Sequence, residues 1–502
     1  MKRIKPLAFA IIWLFAGFAF GQIKIKGRVL DKNQKPLPFV SVSVLNQAKG
    51  TICDIDGKFE LSLTQEEINE GIQFSYVGYE QKMIKPAGTD LEKLIVILET
   101  KGIQLKELVV LPGENPANRI IKQVTRNRNK NNPEKIHSFS YTSYNKMIVT
   151  ADFKTSDDSL MAQNNQVDSF QLFLRKQHLF LTESVSERLF LFPDRNNEKV
   201  IASRVSGFKQ SPFTLLATQM QSFSFYDNQV NLFDIKYLNP ISEGSTRKYF
   251  FIIEDTLYQE KDTVFVISFN PRKNKNFNAI KGLLYINTNG YAIQNVIAEP
   301  VGQDKNITVK IQQQYGFMEG KQWFPVQLNT DWIYNTVTIG DSKNKDGPKP
   351  KLKAISRTYI RSIVLNPQLK KKQFSEVELS IDKNADNQNE TFWKGYRTDS
   401  LSSKDKLTYK VIDSIGKKAN LDKKAFAFEA LFTNQVQVKF INIDLKDVFR
   451  YNEYEGYRVG FGCHTNHRVS DFFNIGGYAA YGFRDKTFKY GGDLGFKLWK
   501  RN

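Results

Sequence analysis

From residue 23 onward, hydrophobic positions alternate with polar ones far more often than they recur at every third or fourth place, so strands dominate the expectation. "IKIKGRVLD", "PLPFVSVSVLN", "GKFELSL", "IQFSYVGYE" and "KLIVILE" are the first such runs; the second sets Phe39, Val40, Val42 and Val44 against Ser41 and Ser43. Five short strands with turns every 8–12 or so residues predict a small β-sandwich over residues 22–100. "DIDG" within it predicts a turn held by Asp54 and Gly57, not a calcium loop, because no distal bidentate Glu follows.

The next segment, 101–380, predicts an antiparallel β-rich domain. A linker, "LKELVVLPGE", leads to Asn115–Pro116, after which Ala117, Ile120, Ile121 and Val124 fall at helical spacing with basic residues opposite. Strands are expected in "SFSYTSYNKMIV", "HLFLTESVSERLFLF", "KYFFIIEDTLY", "DTVFVISFNP" and "KAISRTYIRSIVLN", with one amphipathic helix in "PFTLLATQMQSF". Two hairpins are expected, one turning through Asn289–Gly290 in type I′ geometry and one through Glu319–Gly320. Such hairpins build a curved sheet with one buried face, and with a helix in its concavity it resembles the half-barrel of periplasmic lipoprotein carriers. "GDSKNKDGPKPKLK" predicts a flexible loop. Residues 381–430 predict a polar linker: "IDKNADNQNETFWKGYR" as a loop reaching Trp393, then a short helix, "SKDKLTYKVIDSIGKKA", burying Tyr409, Ile412 and Ile415.

Residues 431–502 change character. Tyr457, Val459 and Phe461 alternate with Arg458, Gly460 and Gly462; the same pattern runs through Phe473–Phe483 and, after a turn at Arg484–Thr487, through Phe488–Leu498. One face is bulky and aromatic, the other glycine and charge. That suits a wall between lipid and water, and each run has about the 9–11 residues of a tilted bilayer crossing. Three or four strands cannot close a barrel, so the expectation is the start of a truncated outer-membrane β-barrel with an exposed last edge.

Composition narrows the setting. Of 502 residues, 41% are hydrophobic and 25% charged, enough for a core, and 39 Phe with 21 Tyr favour β structure. "MKRIK" followed by "PLAFAIIWLFAGFAF", with Ala19 and Gly21 before Gln22, reads as a signal peptide over residues 1–21. Export makes nucleic acid an improbable partner for the net charge of +20, leaving lipid phosphates or plain solubility. Cys53 and Cys463 exclude a disulfide framework.

No reaction is announced. The four histidines are His137, His178, His464 and His467; neither His137 nor His178 starts an H-x-x-E pair, and no H-E-x-x-H, G-x-S-x-G or phosphate-binding glycine loop occurs. "CHTNH" offers Cys463, His464 and His467 as at most three metal ligands, where a closed structural site wants four. No catalytic, cofactor-binding or metal residue is therefore expected, no cofactor, and no enzymatic activity.

Two resemblances add to this reading. Gly27, Val29, Asp31, Pro36, Leu37, Val40 and Val42, then Gly50, Thr51, Asp54, Gly57, Phe59 and "FSYVGYE", resemble the carboxypeptidase-regulatory-like domain, a transthyretin-like sandwich common at the N-termini of Bacteroidetes outer-membrane proteins and without peptidase activity. "TESVSERLFLFP", "SRVSGFKQSPFTLLATQMQSFSFYDN", "YLNPISEGS", "WFPVQLNTD" and "RYNEYEGYRVGFGCHTN" resemble an uncharacterised Bacteroidetes family that sets a domain of unknown function between that sandwich and an outer-membrane barrel. The resemblance implies a mainly β protein of the outer membrane, its N-terminal domains periplasmic, acting in envelope transport or assembly. Its partners would be membrane lipid or lipopolysaccharide and other envelope proteins. The alternatives are a component of a TonB-dependent nutrient receptor, against which the residues after Val110 do not resemble a plug, a soluble periplasmic adhesion or scaffold protein, and a hydrolase, which lacks its ligands.

Overall fold

The computed structural model describes residues 23–85, 90–101, 114–153, 169–208, 223–232, 235–259, 261–273, 277–302, 307–338, 350–374, 378–421, 435–452, 455–466, 469–470 and 472–496. The expected leader, the expected linker after Gly102, the helix expected from Pro212 and most of the loop expected from Gly340 lie outside them.

The first domain is a two-sheet sandwich. Strands β1 (Ile23–Asp31), β2 (Ser41–Val44), β3 (Gly50–Ile52) and β4 (Lys58–Leu63) precede helix α1 (Gln65–Glu70), β5 (Ile72–Ser75), β6 (Lys82–Ile84) and β7 (Leu94–Leu98). One sheet runs β4-β1-β7, the other β3-β2-β5-β6. Ile25, Val29, Val40, Val42, Val44, Leu63 and Phe74 fill the space between. The five expected strands are all present; β3, β6 and α1 were not foreseen. A capping box, Thr64 with Glu67, starts α1. The "DIDG" turn forms as expected: Asp54 Oδ1 accepts the Asp56 and Lys58 amides at 2.9 and 2.8 Å, and Gly57 supplies φ +76°.

The central domain follows as α2 (Pro116–Asn131), β8 (Ser138–Asp152), α3 (Ser169–Lys176), β9 (Phe180–Leu191), β10 (Arg195–Val205), β11 (Gln229–Leu232), β12 (Ile235–Leu238) and α4 (Ser245–Lys248). It continues through β13 (Tyr249–Gln259), β14 (Asp262–Pro271), β15 (Ile280–Asn287), β16 (Ala292–Pro300), β17 (Ile307–Met318), β18 (Gln322–Thr338), β19 (Lys351–Leu365) and β20 (Leu379–Ile381). Eleven strands form one sheet in the order β13-β14-β15-β16-β17-β18-β19-β8-β9-β10-β20. The pairing is antiparallel except for β20, which joins β10 in parallel. β10 was not foreseen, since "RNNEKVIASRV" begins polar.

The expectation of one buried face is corrected. On β14, Ile267 and Phe269 point to α2, where Ala117, Ile120, Ile121 and Val124 pack with Leu284, Ile286 and Val296. Val264 and Val266 point the other way and meet Phe39 and Ile55 of the sandwich, together with Tyr285 and Ile297. Two covered faces explain the nearly continuous apolar runs of these strands. The second hairpin turns as expected, with left-handed Glu319 and Gly320. In the first, the left-handed pair is Gly290 and Tyr291, not Asn289 and Gly290. The Asn287 side chain accepts the Asn289 amide at 2.7 Å, while Asn131 and Trp323 donate to the Gly290 and Asn289 carbonyls, displacing the turn by one residue.

Of the linker expected over residues 381–430, the described part, 381–421, is more than a linker. Helices α5 (Glu390–Tyr396) and α6 (Ser403–Ala419) pack on the sheet face that also carries the sandwich, where Trp393 meets Tyr144, Val185 and Ala202. The helix α6 has the expected bounds, but Ile415 is exposed, and the face it buries is Asp405, Thr408, Tyr409 and Gly416.

The last sheet contains β21 (Gln435–Val438), β22 (Ile441–Asp444), a single turn α7 (Leu445–Val448), β23 (Phe449–Asn452), β24 (Gly456–Thr465), β25 (Phe473–Gly482) and β26 (Thr487–Phe496). Its order is β21-β22-β24-β25-β26, with β23 also pairing β24. Six strands thus stand where three or four were expected.

Candidate functional site

In the last sheet the alternation separates two surfaces of opposite chemistry. Tyr457, Val459 and Phe461 of β24, Ile475 of β25, and Phe488, Tyr490, Leu494 and Phe496 of β26 are exposed, Tyr490 by 84%. Registers Phe461↔Ala479↔Tyr490 and Val459↔Tyr481↔Phe488 set these side chains in rows across the strands. Exposed apolar positions this dense on one contiguous face mark a surface that meets something other than water.

The other face is polar and closed on itself. Arg458, 7% exposed, lies 3.6 Å from Asp447 on α7 and 3.8 Å from Glu455. Lys489 bonds Glu455 and reaches Asp485 at 2.8 Å. His464 sits between Asp444, at Nδ1, and Asp493, 3.0 Å from Nε2. Glycines make room for these side chains to lie flat: a Cβ at Gly476 would stand 1.9 Å from the His464 ring, and one at Gly462 2.5 Å from the Asp447 carboxylate. A soluble domain buries its apolar side and solvates its charges. This sheet does the reverse.

The "CHTNH" metal candidate does not assemble. Cys463 and His464 are neighbours on β24 and therefore point to opposite faces, His464 is occupied by two aspartates, and His467 lies outside the described residues. Among the described residues no three His, Cys, Asp or Glu side chains converge on a metal position. His178 is buried beside Asp405 at 3.4 Å, and its backbone N–H donates to Thr408. Burial lowers its pKa below the ordinary 6.5 although Asp405 pulls it up. Asp405 also caps α6 through Ser402 and receives Lys146 at 2.8 Å, so the group ties α6 to β8.

Sequence reasoning missed the buried charge beneath the α5–α6 corner. Glu183, fully buried on β9, accepts from Arg397 at 2.6 and 2.8 Å, from Tyr144 at 2.6 Å and from Tyr409 at 2.8 Å. Burial pushes its carboxyl pKa up, but the Arg397 and tyrosine bonds outweigh that and hold it below the ordinary value. The one signal was a lone Glu inside "HLFLTESV". Its partners stand 39, 214 and 226 positions away.

The sandwich is docked by its turn. Phe39 adopts φ +59° and meets Tyr285 edge-on at 5.6 Å. The Ile55 amide donates to Gln314, the Asp56 carboxylate accepts from Gln327, and Lys58 pairs with Asp399 at 3.2 Å.

Residues 25–110 match the CarboxypepD_reg-like domain, and residues 120–342 match a family of unknown function, DUF5686. The chain carries a CarboxypepD_reg-like domain followed by a DUF5686 domain. The β1–β7 sandwich is thus the CarboxypepD_reg-like domain, and the DUF5686 match covers most of α2 through the end of β18. A TonB-dependent receptor, SusC, of Bacteroides thetaiotaomicron is 33% identical over 117 residues, which is 22% of this chain and 11% of the receptor. The chain therefore matches only about a tenth of that relative's length. The crystal structure of a DUF1329 family protein from Desulfovibrio piger aligns with 52% of this chain and 98% of its own at 9% identity, with a TM-score of 0.23, too low to establish a shared fold.

Proposed function

We propose that this is a non-enzymatic protein associated with the outer membrane, its C-terminal sheet in lipid and its two N-terminal domains on the periplasmic side, serving envelope transport or assembly. The observation that carries the reading is the inverted sheet: rows of exposed Tyr, Phe, Leu and Ile on one face, and an ion-paired, glycine-spaced face behind them. Strands β24, β25 and β26 are 10 residues each, the length of a tilted crossing. The partial match to a TonB-dependent receptor is consistent with that compartment. Membrane lipid and lipopolysaccharide are the partners this surface would meet. No helix of the described residues is long and apolar enough to cross a membrane.

Fractionation of a bacterium with an outer membrane, expressing the full chain, tests this. Recovery with the outer membrane after alkaline washing is expected. Recovery in the soluble periplasmic fraction overturns the membrane reading and leaves a soluble scaffold. A second reading, a component related to TonB-dependent nutrient receptors, rests on the SusC match, and it requires that deleting the gene abolish uptake of a specific nutrient.

A further inference from the structure

A cleft of about 640 Å³ opens between α5, the residues leading into α6, and β10, and the membrane reading gives it no role. Its donors and acceptors do not balance. The acids around it are already engaged. Glu390 uses one oxygen on Arg397 and the other on Arg204, 3.6 Å away. Asp399 pairs with Lys58 of the sandwich, and Glu183 beneath the floor accepts four bonds.

The donors are not used up. Lys394 on α5 and Lys406 on α6 line the cleft, and neither has a carboxylate within ion-pairing distance among the described residues. The Arg204 guanidinium carbon sits 3.9 Å over the Tyr409 ring, which holds the group in the cleft wall and leaves guanidinium N–H groups beyond its contact with Glu390. Thr398 accepts from Arg361 at 2.8 Å, so its own O–H remains to donate, and the Ser400 hydroxyl stands beside it in the lining.

The geometry points to a binding site for a phosphate monoester. Two lysines without counter-charge, one partly engaged Arg and hydroxyl donors call for a ligand with close to two negative charges and several acceptor oxygens. A phosphate monoester carries about −1.5 to −2 charge and three strong acceptor oxygens, whereas a carboxylate has one charge and two oxygens. Arg397 does not bind the ligand. Its fork is spent on Glu183, and it positions the floor. The cleft is within the ~300–1,000 Å³ of small-ligand sites, which leaves room beside the phosphate for a sugar or glycerol unit against Leu401. The ester could be soluble or a lipid headgroup. This assignment stands apart from the reading of the C-terminal sheet.

The test is calorimetric titration of the full chain in detergent with glycerol 3-phosphate, glycerol serving as the neutral control, and in parallel flotation with neutral vesicles containing or lacking phosphatidic acid. Saturable binding of the ester, weakened about tenfold or more in Lys394→Gln/Lys406→Gln and unchanged in Lys410→Gln, is the expected result. Lys394 and Lys406 are exposed, so the double variant should keep the parent's melting temperature. Binding of vesicles but not of the soluble ester, lost in the same double variant, assigns the headgroup as the source. Failure of both probes to bind, or binding that the double variant leaves intact, overturns the site.

Discussion

The central sheet and the C-terminal sheet use the same period-two alternation to opposite ends. In the first, both faces of β14–β16 are apolar because α2 covers one and the sandwich the other, and the charge it buries, Glu183, is met by four donors. In the second, the apolar face has no cover among the described residues and the charged face is the sheltered one. The difference lies in the solvent each face is built for. A charge can be sheltered in either setting if its partner is fixed, whereas an uncovered row of aromatic residues gains from contact with something less polar than water.

The largest effect expected in the central sheet is loss of the Glu183 counter-charge. Arg397→Ala leaves a buried carboxylate with only tyrosine donors and should cost about 3–5 kcal/mol by urea unfolding. The double variant Glu183→Gln/Arg397→Met should cost much less, because neither half leaves a bare charge. Equal losses would mean that packing of α5, not charge, dominates this corner. Phe39→Ala comes next. It empties the contact with Tyr285, for which about 3–4 kcal/mol is expected, reduced by whatever strain the left-handed backbone holds. Its signature should be release of the sandwich, read as earlier proteolysis between the two domains.

The C-terminal sheet should respond in the opposite sense. Leu494→Arg, on the exposed face, should destabilise the bilayer-embedded state by about 2–4 kcal/mol if it lies near mid-membrane. It should leave the unfolding free energy of the central domain unchanged within about 0.5 kcal/mol. A variant that inserts as well as the parent would remove the contrast between the sheets.

Acid sharpens the comparison further, and the sign can be worked out. Glu183 has a lowered folded pKa, so its contribution is present above the ordinary 4.5 and is lost as pH falls through the folded value. His178 also has a lowered pKa: below the ordinary 6.5 the unfolded chain takes up a proton that the folded site excludes, so stability already declines from there. The urea midpoint of the central domain should therefore fall in two stages, one setting in below pH 6.5 and a second below pH 4.5, and His178→Gln should remove the first.

Much of this architecture was legible. The alternating runs gave every sandwich strand of more than three residues, the long hairpins, and the two faces of β24–β26, because a side chain's face follows directly from period two. What was not legible depended on distant partners. β10 reads polar because Glu198 and Asn196 serve Ser186 and Arg188 across the ladder. The two-faced cover of β14–β16 needed knowledge that Phe39 leaves the sandwich. The α5–α6 cleft needed a fold that brings Arg204 to Tyr409.

The smallest effect concerns the face of α6. The apolar stripe Tyr409, Ile412 and Ile415 predicts that Ile415 is core, yet it is 43% exposed, and the helix instead closes through Gly416 on the Gly207 backbone. A Cβ at Gly416 would stand 2.1 Å from the Gly207 carbonyl oxygen, whereas the Ile415 side chain faces solvent. Gly416→Ala should thus lower stability by about 1–3 kcal/mol although it favours helix, while Ile415→Ser should cost about 0.5 kcal/mol or less. Chemical unfolding of the two variants side by side decides it. If Ile415→Ser were the costlier, the sequence pattern would be right, α6 would sit rotated from the position described, and the phosphate cleft it borders would lose Lys406.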